Sequence, residues 1–86
     1  MTSFDARLRM IGQQGLPLGV EVDLTGNRMT VTAGHNQVAN WALEDIRVQS
    51  LPDGFHVKAE GEEVILNVAD KIRFATEVGI RRTDQI

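Results

Sequence analysis

From Leu18 onward the chain alternates, with Leu18, Val20, Val22 and Leu24 on one side and Gly19, Glu21 and Asp23 on the other. A period of two marks a strand with one buried face. Thr25-Gly26-Asn27 interrupts it with residues that tolerate positive φ. Arg28-Met29-Thr30-Val31-Thr32 then resumes it with Met29 and Val31 inward, so the two segments predict a hairpin. After a second turn over Ala33-Gly34-His35-Asn36-Gln37 comes Val38-Ala39-Asn40-Trp41-Ala42-Leu43, in which Trp41 and Leu43 share a face. Glu44-Asp45 breaks the pattern and Ile46-Arg47-Val48-Gln49 starts a fourth strand. Pro52-Asp53-Gly54 is the strongest turn signal, because Pro presets one dihedral and Gly accepts the other. Phe55, Val57 and Ala59 alternate with His56, Lys58 and Glu60, and after a tight turn at Gly61-Glu62 the inward set is Val64, Leu66 and Val68. About six short strands at such spacing predict an antiparallel meander, either a curled sheet or a barrel.

The period changes after Val68. Ile72, Phe74, Ala75 and Val78 recur at helical spacing, with Arg73 and Glu77 on the opposite side, Asp70 placed to cap the first turn and Gly79 to end the last. A helix this short is not stable alone, so residues 70–79 must cover a sheet face or barrel mouth. Phe4, Leu8 and Ile11 are spaced for a helix that stops at Gly12, although Arg7-Leu8-Arg9-Met10 also alternates; the expectation for residues 1–12 is a short helix or irregular segment. Residues 81–86 are polar enough to fray. The whole, residues 1–86, is expected to be a single α+β domain, mostly β.

Within this order, Trp41-Ala42-Leu43-Glu44-Asp45-Ile46 is followed by Asp53-Gly54-Phe55 and by the Ala59-Glu60-Gly61-Glu62-Glu63 turn. The arrangement resembles the pleckstrin-homology-like (PH-like) barrel, in particular the small PH-like proteins of actinobacteria. In those a polar or aromatic residue–x–Leu–x–Asp–Ile segment joins two strands, and the pattern of Trp41 to Ile46 matches it. The resemblance covers residues 18–79. It implies a barrel capped by the 70–79 helix and a role as an adaptor for peptides, proteins or lipids, rarely as an enzyme.

Composition narrows the chemistry. With no cysteine, thiol nucleophiles, disulfides, Cys-based zinc sites and iron–sulfur clusters are excluded. A net charge of −3 argues against nucleic-acid binding, which needs a cationic field. The cations are seven arginines against two lysines, a skew that fits a GC-rich bacterial genome. Met1-Thr2-Ser3-Phe4-Asp5 lacks the order of a secretory signal, so the expected location is cytoplasmic.

No constellation predicts catalysis. Neither Ser3 nor Ser50 sits in a nucleophile elbow, His35 lies in a turn, and His56 falls on the outward phase of its strand, facing solvent. The carboxylate pairs Glu44-Asp45 and Glu62-Glu63 point to opposite faces on a strand. His56, Glu60 and Glu62 could approach one another across a hairpin, but one His with carboxylates is a set that surfaces produce by chance, and no metal or cofactor is expected.

Two sets of residues are candidates for recognition. Trp41, with Phe55 and Phe74, is expected to fill the core between sheet and helix; its alternative role is an interface anchor. Ile65, Val38 and Ala42 fall off the inward sets and predict a small apolar outer patch for a partner, unless a further element covers it. Arg28, Arg73, Arg81 and Arg82 are the candidate anion-binding set. The expected function is a non-enzymatic module of the bacterial cytosol that binds an unidentified protein or peptide. A peptide would add a strand to an open sheet edge or lie between a strand and the helix. The second reading is recognition of a lipid headgroup or small anion by the arginines, with membrane lipid disfavoured by the single cation of the 25–28 loop. The third is a self-associating structural subunit, a homo-oligomer.

Overall fold

The computed structural model describes residues 2–11 and 15–82, with side chains through residue 80. Seven strands form one antiparallel sheet: β1 (Thr2–Met10), β2 (Leu18–Thr25), β3 (Arg28–Ala33), β4 (Asn36–Ala42), β5 (Arg47–Leu51), β6 (Gly54–Ala59) and β7 (Glu62–Val68). A 3-10 turn, Leu43–Asp45, joins β4 to β5, and one helix, α1 (Lys71–Arg82), follows β7. The mostly-β architecture with a C-terminal helix is as the alternation predicts, with seven strands rather than about six.

The additional strand is β1, where a short helix was expected. Phe4 and Leu8 are four apart and satisfy both periods, but Ala6 between them is buried too, and Ser3, Asp5 and Arg7 are exposed. Long-range pairing decides the conformation. Thr2 to Leu8 pair with Leu24 to Leu18 on β2, and Ala6 to Met10 pair with Val68 to Val64 on β7. Pairing on both sides satisfies most of the backbone groups of this strand, more than a frayed helix of two turns would.

The strand order is β4-β3-β2-β1-β7-β6-β5, so the sheet curls as a half-barrel about β1 and leaves the sequence neighbours β4 and β5 at opposite edges. Its inner face carries a wholly apolar core, and among the described residues no polar or charged residue is buried. The aromatic centre is Phe74 of α1, whose ring meets Phe4 edge-on at 5.2 Å and Phe55 at 4.8 Å. Phe4 thus holds the place expected for Trp41, which is half-buried at the margin.

Asp70 caps α1 as predicted: its Oδ1 accepts the Arg73 backbone N–H at 3.2 Å. The helix does not stop at Gly79 but runs on to Arg82; residues 83–86 lie outside the described residues. The buried stripe is narrower than expected. Phe74 and Val78 are buried, whereas Ala75 is exposed and Ile72 is 81% exposed. Arg73, expected to face solvent alone, lies over the Phe4 ring, 5.0 Å from its centroid.

Phe74 therefore carries most of the docking of α1. Phe74→Ala is expected to cost ~3–5 kcal/mol, a large part of the ~5–15 kcal/mol of a small domain. Ile72→Ala should stay within about 0.5 kcal/mol of the parent. Paired urea melts read the difference, and comparable costs for both would mean that the helix docks in another phase.

Candidate functional site: the groove between β5 and α1

Hairpin geometry fixes which backbone groups each edge strand leaves open. Between β6 and β7 the turn Glu60-Gly61 has φ of 53° and 81°, the two positive values of a two-residue type I′ hairpin, so the flanking pair Ala59–Glu62 is the hydrogen-bonded one. Alternation along β6 then gives Phe55, Val57 and Ala59 to β7 and Gly54, His56 and Lys58 to β5. On β5 their partners are Leu51, Gln49 and Arg47. The N–H and C=O groups of Val48 and Ser50 consequently point outward from the sheet edge.

The side chains of the same two residues face inward, opposite buried Val57 and Phe55. They form one wall of a groove of about 270 Å³ whose floor and second wall are Phe55, Phe74, Ala75, Val78 and Gly79. Ala75 and Gly79 are the small residues on the helical wall, and a Cβ placed on Gly79 would meet nothing within 4 Å. The glycine is thus not required by packing, although glycine within a helix costs roughly 0.5–1 kcal/mol relative to alanine. What it provides is room.

The other edge is covered. By the same alternation from the Gly26-Asn27 turn, Met29 and Val31 bond to Trp41 and Ala39, and the backbone of Asn40 points away from β3. Arg28 reaches across β4, donating from Nε to the Asn40 side-chain Oδ1 at 2.7 Å and from Nη2 to the Asn40 carbonyl at 3.3 Å. A guanidinium at a sheet edge blocks strand pairing. Farther along, β4 carries an irregularity: Val31 opposes Ala39 but Thr32 opposes Gln37, so Val38 is the extra residue of a bulge and is 45% exposed.

Of the candidate partner residues, Trp41 and Ala42 are thus half-buried at the covered β4 edge and Val38 is exposed on its bulge. Ile65 departs from expectation. It lies on the outer face but is only 5% exposed, between Arg9 of β1 and His56 of β6 and against Gly54, whose missing Cβ would sit 2.9 Å from Ile65 Cγ2. The absence of a side chain at Gly54, together with its φ of 134°, lets the turn close over Ile65. Of the candidate anion set, Arg28 is engaged by Asn40 and Arg73 by the Phe4 ring, and the side chains of Arg81 and Arg82 lie outside the described residues.

His56 also departs from expectation, being 14% exposed at its side chain rather than facing solvent. Its Nε2 is 2.7 Å from Asp53 Oδ1 and its Nδ1 2.9 Å from Glu63 Oε2. Glu62 cannot join it, because Glu62 has the inward phase of Val64 and Leu66 while His56 has the outward one. Hydrogen bonds donated by the ring to Glu63 and Asp53 hold the imidazole pKa above its ordinary value, and the bond with His56 holds the Asp53 carboxyl below its own. Among the described residues no group of three His, Asp or Glu side chains is arranged to hold a metal ion. No helix among them is long and apolar enough to cross a membrane.

No family model, curated protein or solved structure matches this chain.

The covering of β4 makes one expectation measurable. Arg28→Ala uncovers the Asn40 carbonyl and should leave the fold intact while giving concentration-dependent association by sedimentation velocity. A variant that stays monomeric at the highest concentrations reached would show that Arg28 does not guard that edge.

Proposed function

We propose that this protein is a non-enzymatic peptide-binding module of the bacterial cytosol, and that it takes an extended segment of a partner protein into the groove between β5 and α1. The observation that carries this reading is the coincidence of two features on β5. The residues whose backbone groups are left open at the edge, Val48 and Ser50, are the ones whose side chains line the apolar groove. A peptide laid antiparallel or parallel to β5 gains main-chain hydrogen bonds and, at every second residue, places a side chain against Phe55, Phe74 and Val78. Backbone pairing supplies affinity without sequence preference; the apolar pocket supplies preference.

The open space above Gly79 supports the same reading, since filling it with alanine would favour the helix and offend no neighbour. So does the resemblance to PH-like domains, whose members mostly act as adaptors. The arginine-cluster alternative has less support, because Arg28 and Arg73 are already committed to Asn40 and Phe4.

A library of random linear peptides displayed on phage, selected on the immobilised protein, tests the proposal. Recovered peptides should carry apolar residues at alternate positions and, added to isotope-labelled protein, should shift the Val48 and Ser50 amides. Gly79→Leu should weaken them more than tenfold, about 1.4 kcal/mol, with a melting temperature equal to or above the parent's. Peptides that ignore Gly79→Leu, or that shift only residues of the outer face, would refute the groove.

A further inference from the structure

On the face opposite the groove, His56 stands between two carboxylates from different elements. Asp53 belongs to the turn that joins β5 to β6, and Glu63 to β7. The imidazole therefore ties that turn to the body of the sheet, across the buried Ile65. Both ring nitrogens are within hydrogen-bond distance of a carboxylate oxygen, at 2.7 and 2.9 Å. A carboxylate has only acceptors. An imidazolium has two N–H donors and can satisfy both; a neutral imidazole has one, which leaves a nitrogen lone pair facing a negative oxygen.

We propose that His56 is a protonation-dependent clamp, which fixes the β5–β6 turn, and with it the β5 wall of the groove, while the ring is charged and releases it when the ring is neutral. The consequence for the groove rests on the peptide-docking reading given above; the clamp itself does not.

The surrounding charges decide which bond gives way. Glu63 has a second cation near it, since Lys58 Nζ of β6 lies 3.9 Å from its other oxygen. Asp53 sits half-exposed at the tip of a turn, with Arg9 of β1 as the more remote cation that favours its ionised form. The β5 residue opposite His56 is Gln49, which carries no charge. With one proton left on the ring, Glu63 keeps its bond and Asp53 turns to water, freeing the Pro52-Asp53 turn.

The direction with pH follows from the raised folded-state pKa of His56. The clamp is closed below the ordinary histidine value of about 6.5 and opens as pH rises through the higher folded value.

The test uses the protein alone. The His56 ring and the protection factors of the Gln49 and Leu51 amides, which bond to β6, are followed by NMR from about pH 5.5 to about pH 9. The ring should titrate above the ordinary value, and protection at Gln49 and Leu51 should fall about tenfold for each unit of that elevation. Amides of the β2–β3 hairpin should not follow. In Asp53→Asn the ring midpoint should drop toward the ordinary value with the fold unchanged, and in His56→Gln protection at Gln49 and Leu51 should lose its dependence on pH. An ordinary or lowered midpoint in the parent, or the same pH dependence in either variant, overturns the clamp. Because no peptide is present, that failure leaves the docking proposal standing, and failure of peptide selection leaves the clamp standing.

Discussion

Everything in this fold hangs on β1 being paired on both sides. β2, β3 and β4 form one three-stranded ladder and β5, β6 and β7 another, and no hydrogen-bonded pairing joins the two except through β1. The strand performs this with a staggered overlap. Its first residues pair only with β2, its last only with β7, and Ala6, Arg7 and Leu8 with both. Such an offset turns one sheet into a curl, because each half twists about a different stretch of the same strand. The inward residues Phe4, Ala6 and Leu8 then lie at the base of the concavity, and Phe4 meets the ring of Phe74 that holds the helix.

A curl built this way has two rims, and the chain treats them differently. The β4 rim is covered by its neighbour's guanidinium and kinked by a bulge at Val38, both means by which sheets discourage pairing with strangers. Among the described residues the β5 rim has neither, and α1 presents Ala75 and Gly79 beside Phe74 and Val78 there. This asymmetry is what the proposed docking of a peptide at β5 rests on. It also explains why the polar link at His56 is placed where it is: the strand least supported by pairing has its turn fastened from behind.

Much of this could be read from the residues. Alternation from Leu18 to Val68 located six strands, most plainly where one apolar face is buried as in β2, β3, β6 and β7, and the change of period after Val68 located the helix and its Asp70 cap. β1 was ambiguous because Phe4 and Leu8 fit either period; its partner β7 lies more than fifty residues away, and no local pattern reports a contact at that distance. Trp41 was overvalued as core because size suggests burial, whereas an edge strand buries only part of a ring. Ile72 stays exposed because helical spacing gives the width of an apolar stripe but not how much of it finds a surface; of the described residues of α1, the curl buries Phe74 and Val78. The tie at His56 was within reach. Asp53 is three residues before it, and once the Ala59–Glu62 register is set, Glu63 falls on its face while Glu62 does not.

The central position of the first strand also sets the order in which the chain can be completed as it leaves the ribosome. β1 can pair with β2 as soon as the chain through Thr25 is out, and β3 and β4 can follow by local hairpins. Its second edge must wait for β7, and Phe4 must wait for Phe74, seventy residues further along the chain. For most of synthesis the nascent half-sheet exposes an open edge and an uncovered apolar face, the features that invite wrong partners. Loop closure over so long a separation is also slow relative to hairpin formation. The apolar concavity that α1 covers in the finished fold is, during its making, the surface that other molecules must be kept from.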